Sequence, residues 1–327
     1  MKTALVTGAS GLIGSWLAER LAEEGFAVRC LVRQTSSLQW LEGRRVSLVN
    51  GDLCRDEIPG EALRGVTHVF HCAGVLRALR SRDFFEANEQ GTRRLLAACV
   101  PHADSLQRFV LISSLAAAGP GTAWRPVRED DDPAPVSVYG RSKLAAERAV
   151  LEHAHRLPVT IVRPPAVYGP RERDLLPIYR QVRRRVRLSV GFRDRCLSLI
   201  HVHDLVDGII ATGTHANAVG RTYFLANDDA AAWSTFVRAV AVALGRRTVP
   251  IALPGWAAYL AAAPAELHAR ITGRPAVLNF DKVREISQGD WVCSTARVRE
   301  EIGFRPALSL EEGVRRTVEW YVQHRWL

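Results

Sequence analysis

Tyr139 and Lys143 stand four residues apart in Tyr139-Gly140-Arg141-Ser142-Lys143, and the Leu144-Ala145-Ala146-Glu147-Arg148 that follows has helical character. That spacing puts both side chains on one helix face. An ammonium beside a phenol favours the tyrosinate and lowers the phenol pKa, so the pair can pass a proton to or from an alcohol near neutral pH. Upstream, Ser113-Ser114 ends the strand-like run Arg108-Phe109-Val110-Leu111-Ile112. A hydroxyl at the C-terminal end of a strand points into the crevice where open α/β sheets bind ligands. Taken singly, Tyr139 reads as a half-buried aromatic and Lys143 as a solvated charge. The three together predict proton exchange with a hydroxyl or carbonyl oxygen.

A second group lies near the start. Thr7-Gly8-Ala9-Ser10-Gly11-Leu12-Ile13-Gly14 follows the apolar run Ala4-Leu5-Val6 and opens a helical stretch, Leu12 to Glu24. In this strand, turn and helix, Gly8 allows the tight turn, Gly11 lets backbone approach a pyrophosphate, and Gly14 lets helix and strand pack closely. Phosphates then sit on the helix N-terminus, against its unpaired N–H groups and the positive end of the dipole, with Ser10, Gly11, Leu12 and Ile13 as cofactor-binding residues. The spacing Gly-x-x-Gly-x-x-Gly is also compatible with an ordinary strand-to-helix turn. The Tyr, Lys and Ser set favours the dinucleotide reading.

With these motifs in this order, the chain resembles the extended short-chain dehydrogenase/reductases, also called the NAD-dependent epimerase/dehydratase family. The resemblance spans nearly the whole chain and is densest from Met1 to Gly169. Its residues are Gly8, Gly11 and Gly14; Asp52 and Leu53; Cys72-Ala73-Gly74; Asn88; Ser114, Tyr139 and Lys143; and Arg163-Pro164-Pro165-Ala166-Val167-Tyr168-Gly169. It implies that Tyr139 exchanges the proton, Lys143 also holds the nicotinamide ribose, and Ser114 bonds the substrate oxygen. It further implies that Asp52 accepts from the adenine amino group, that Leu53, Ala73, Gly74 and Asn88 border the cofactor, and that Pro164, Pro165 and Val167 wall the nicotinamide. A turn-capping role is the other reading of Asp52. A homodimer through helices at Phe84–Cys99 and Val138–His155 is implied as well.

The second strand ends in Arg33, where NAD-binding turns often place an acid for the ribose hydroxyls. A guanidinium there suits a 2′-phosphate, so NADP(H) is the expected cofactor, with NAD(H) the alternative. After Ser114 come Leu115-Ala116, both inert, which argues against dehydration and against epimerisation beside a carbonyl. Four-position sugar epimerases need no further acid or base, but the places where they hold a diphosphate with arginine are here Leu197 and Leu199; Arg193 or Arg195 is the candidate substitute. His201 and His203 flank Val202 without an evident third ligand, so no metal is expected. The remaining branch resembles dihydroflavonol reductases and 3-beta-hydroxysteroid or sterol-carboxylate dehydrogenases. The expected activity is therefore alcohol–ketone interconversion on a bulky, largely apolar substrate, sterol-, polyprenoid- or polyketide-like. A nucleotide-sugar 4-epimerase and a non-catalytic cofactor sensor are the alternatives.

Strand-like runs at Thr3–Val6, Ala27–Val32, Val46–Asn50, His68–His71, Arg108–Ile112 and Val159–Val162 alternate with helical stretches. The expected fold class is α/β, a doubly wound parallel Rossmann sheet with a smaller, mostly helical C-terminal substrate domain. Residues 1–170, with 196–226 returning, are expected to form the dinucleotide-binding domain, and 171–195 with 227–327 the substrate-binding domain. The 327 residues carry 47% hydrophobic and 24% charged content, ordinary for a globular protein. The six cysteines form no Cys-x-x-Cys pair, and the nucleotide turn begins at once, without room for a signal peptide. A reducing cytoplasm is expected. The net charge is +10, and the densest basic run is Arg180-Gln181-Val182-Arg183-Arg184-Arg185-Val186-Arg187. This run reads as a solvated face or as contact with an anionic substrate or lipid headgroup; lacking interleaved aromatics, it does not suggest nucleic acid. The apolar Leu253–Ala263 segment reads as a cap over an apolar substrate, a surface lying on a membrane, a buried helix or a dimer contact.

Overall fold

A computed structural model describes residues 2–55, 58–191, 193–273, 275–276 and 279–327. Seven strands form one parallel sheet: β1 (Thr3–Thr7), β2 (Ala27–Val32), β3 (Val46–Asn50), β4 (His68–His71), β5 (Arg108–Ile112), β6 (Val159–Arg163) and β7 (Arg221–Phe224). Their spatial order is β7-β6-β5-β4-β1-β2-β3. Chain order reverses between β1 and β4, so the C-terminal ends of these two strands diverge into a crevice. The strands read as near-continuous apolar runs because helices cover both sheet faces. Alternation assigns the faces. Ala4, Val6, Val28 and Cys30 pack towards the helices Leu12–Glu23 and Val202–Thr214. Leu5, Leu31, Phe109 and Leu111 pack on the other side, against the helices Gly91–Cys99 and Val138–Glu152. Arg221–Phe224 joins the sheet beside β6, in register Thr222↔Ile161.

A separate core forms around Tyr168, Tyr179, Phe236, Val314 and Tyr321. It unites the helices Leu176–Arg183, Trp233–Ala243 and Leu310–Gln323. Beside it lies a feature not expected from the sequence. Val186–Val190 and Val249–Leu253 pair as a two-stranded parallel ribbon, in register Val249↔Val186. The ribbon leads into the helix Gly255–Thr272. Among the described residues no helix is long and apolar enough to cross a membrane.

Candidate active site

The crevice is built by glycines whose missing side chains are required by contact. Gly8 has a φ of 67°, and a Cβ there would lie 2.6 Å from the Ala73 amide nitrogen. At Gly14 a Cβ would lie 2.3 Å from the Gly8 carbonyl oxygen. These two positions let the turn and its helix close on β1 and β4. Gly11 differs: a Cβ there would meet only the Gly8 oxygen, at 3.3 Å. Gly11 is the N-cap of the Leu12–Glu23 helix, and no side chain caps it. Its exposed face and the uncapped helix N-terminus, with Leu12 and Ile13 in the first turn, form a cradle suited to a dinucleotide pyrophosphate. Ser10 is half-buried on the turn.

Around the cradle the remaining expected residues divide. Arg33 is exposed at the end of β2, and among the described residues its guanidinium has no ion pair. Asp52 accepts from the Cys54 amide at 2.9 Å, the turn-capping role, and among the described residues its second carboxylate oxygen is uncommitted. Leu53 is a core residue, 8% exposed, whose carbonyl takes the Arg94 guanidinium at 2.9 Å. Asn88 is buried in a π-helical turn, Glu86–Gln90. Its amide oxygen accepts from Val75 N at 2.8 Å, and its Nδ2 donates to Ser142 Oγ at 2.8 Å. It thus pins the loop after β4, with Ala73 and Gly74, to the helix bearing Tyr139. This is a positioning role set by geometry that the sequence alone did not reveal.

Ser137 caps that helix, accepting from Gly140 N at 3.0 Å. A Cβ on Gly140 would lie 2.3 Å from the Ala116 carbonyl oxygen, so a glycine is needed for the helix to approach the short Leu115–Ala118 turn. Ser114 caps that turn, accepting from Ala116 N at 3.1 Å, and its hydroxyl lies near enough to the Tyr139 phenol to favour the ionised form. From the C-terminal part of the chain, Asp281 accepts from Val138 N at 3.0 and 2.9 Å. Pro164 O accepts from Leu115 N at 2.8 Å, and half-buried Pro165 and Val167 continue from it. The structure therefore brings Ser114 and Tyr139 to one place, with Lys143 one helical turn further on.

The expected electrostatics need a correction. Burial pushes the Tyr139 phenol well above its ordinary value; the nearby Ser114 hydroxyl opposes this and the Glu285 charge adds to it. Lys143 does not set that balance. Its Nζ donates to the Ile112 carbonyl at 2.7 Å, and the residue is 5% exposed. Burial lowers the Lys143 pKa to about 8, opposed by the charge of Glu147 one turn along. Glu147 is paired bidentately with Arg163, at 2.9 and 2.6 Å, and also bonds Ser113. Removing either charge of such a buried pair strands the other, at about 3–5 kcal/mol.

His201 and His203 pack as rings, centroids 4.8 Å apart, against Tyr168 and Trp16. Burial lowers both pKa values. Among the described residues no cluster of three metal-ligating side chains forms. Leu199 is in the core, Leu197 is half-buried, and Arg193 is paired with Asp290 at 2.9 Å.

The profile of the NAD-dependent epimerase/dehydratase family matches residues 4–226. The chain is 30% identical to a ceramide reductase of Caulobacter vibrioides, over 98% of this chain and 95% of that protein. It is 26% identical to the Mus musculus decarboxylating sterol-4-alpha-carboxylate 3-dehydrogenase, over 97% and 90%. The solved structure of gox2253 superposes with a TM-score of 0.82, at 26% identity and full coverage of both chains.

Proposed function

The chain belongs to the NAD-dependent epimerase/dehydratase family, and from that premise we propose that this oxidoreductase interconverts a secondary alcohol and a ketone on a bulky, largely apolar substrate. The observation behind this reading is the Ser114 hydroxyl set near the Tyr139 phenol, with buried, inert neighbours: Leu115 and Ala116 are 3% and 4% exposed. Two hydroxyls are available to one oxygen of a substrate, and the residues that follow Ser114, Leu115 and Ala116, supply no acid or base to eliminate water. A bound nicotinamide supplies or accepts the hydride at the carbinol carbon. In the reductive direction Ser114 holds the carbonyl oxygen and Tyr139 gives it a proton. Lys143, charged below its pKa of about 8 and anchored on the Ile112 carbonyl, is the cation one helical turn beyond Tyr139 for the nicotinamide ribose hydroxyls.

An apolar substrate is supported by the names of the relatives, a ceramide reductase and a sterol dehydrogenase. It is also supported by the residues at the expected diphosphate positions, Leu197 and Leu199, and by the commitment of Arg193 to Asp290. The exposed Arg33, free of a carboxylate among the described residues, supports a preference for NADP(H). The test is a panel of long-chain and polycyclic ketones with NADPH or NADH, beside UDP-sugars with no added cofactor. Ketone-dependent NADPH oxidation is expected, and Arg33→Asp should shift the kcat/KM ratio towards NADH by about tenfold or more. Interconversion of UDP-sugars with retained NAD, and inertness to every ketone, would refute the proposal.

A further inference from the structure

The helix Gly255–Thr272 is packed with its large apolar side chains turned outwards. Among its described residues Ala258, Ala262 and Ala269 are the buried positions, and Val283 meets the first two. Trp256, Leu260, Leu267 and Ile271 are 64%, 65%, 61% and 77% exposed. At 100° per residue these four fall within about 60° of one another, a single stripe along the helix. An ordinary surface helix buries such a stripe and exposes its small and polar residues. On the ribbon that feeds the helix, Val249 and Ile251 are exposed as well.

The same lobe is basic. No Asp or Glu occurs between Asp174 and Asp194, or between Asp229 and Glu266. Arg183, Arg184 and Arg185 precede one ribbon strand; Arg246 and Arg247 precede the other. Parallel pairing brings both groups to one end of the ribbon. All five are exposed, and among the described residues none has an ion pair.

We propose that this lobe docks on an anionic phospholipid bilayer, with the Trp256–Ile271 stripe entering the headgroup–acyl boundary and the arginines meeting lipid phosphates. The combination of an outward apolar stripe with unpaired arginine clusters from carboxylate-free stretches of the chain is what interfacial binding requires. A second copy fits less well, because a twofold contact through this face would bring like arginine clusters together. Nucleic acid fits less well too, because Leu260, Leu267 and Ile271 offer no ring on which a base can stack. The inference does not depend on the reaction assigned above.

The test is co-sedimentation of the full chain with sucrose-loaded vesicles, either phosphatidylcholine alone or phosphatidylcholine with phosphatidylglycerol. Binding to the anionic vesicles is expected to be about tenfold or more tighter, and to weaken with added salt. Trp256→Ser with Leu260→Ser should lose that binding by about tenfold with an unchanged urea midpoint. Arg246→Gln with Arg247→Gln should erase the difference between the two vesicle types. If the apolar double variant is unfolded, Ile271→Ser alone must lower vesicle binding. Three results would overturn the proposal: equal, variant-insensitive binding to both vesicles; conversion of a dimer to a monomer by the apolar variant with vesicle binding intact; or no vesicle binding alongside tight single-stranded DNA binding that the arginine variant removes.

Discussion

Lys143 shows how one buried group ties chemistry to stability. Its pKa of about 8 lies below the ordinary value of 10.5, because burial disfavours the charge. Between pH 8 and 10.5 the unfolded chain therefore holds a proton that the folded chain has released. Stability from this group rises with pH across that window, and below pH 8 the full cost of the buried charge is present. Measured by urea unfolding, the wild type should gain on Lys143→Met between pH 8 and 10.5. A constant difference between the two proteins would mean that Lys143 is not desolvated. Residue identities were the most legible part of this site. What spacing alone could not reveal is which partner each polar atom takes. The Lys143 ammonium turns to a strand carbonyl rather than governing the phenol, and Asn88 spends its amide on the loop after β4. Both choices depend on chain segments distant in sequence.

The glycine-rich turn makes a prediction about elements, because its glycines are required for different reasons. Gly14→Ala forces a methyl to within 2.3 Å of a backbone oxygen and must displace the helix; Gly11→Ala meets that oxygen only at 3.3 Å. Gly14→Ala should therefore lose both cofactor affinity and about 1–3 kcal/mol of stability, as overpacked positions do. Gly11→Ala should retain the thermal midpoint within a few degrees and lose cofactor affinity. Equal effects on stability would show that the two glycines are not distinguished by packing. The sheet strands were readable in sequence because each is a short apolar run bounded by turn residues. β1 to β6 fall within a residue of expectation. The Val186–Val190 and Val249–Leu253 pair escaped notice because Arg187 and Pro250 interrupt the apolar pattern. Its strands are also about sixty residues apart, so neither signals the other. The helix Phe280–Ser287, which supplies Asp281 to the N-terminus of the Tyr139 helix, was missed for a related reason: its contribution is a tertiary cap, not a periodic pattern.

At the scale of the whole molecule, strand order brings the chemistry together. Placing β4 beside β1, and β5 beside β4, gathers the Gly8 turn, the Gly74 loop and Ser114 at one sheet end. The Tyr139 helix then needs only the close contact at Gly140 to reach Ser114. The proposed membrane-docking lobe is joined to this arrangement through the helix Phe280–Ser287, whose Val283 packs on Ala258 and Ala262 and whose Asp281 caps the Tyr139 helix. The most direct test of the account is isotope transfer. The protein would be incubated with NADPH deuterated at the reactive C4 position and a bulky ketone that the panel identifies. Mass spectrometry would then locate the label. The account predicts one deuterium on the carbinol carbon of the product, and a loss of about 10²–10⁴-fold in its rate of formation for Tyr139→Phe with cofactor affinity retained. Undiminished label transfer by Tyr139→Phe, or a product alcohol without deuterium, would contradict it.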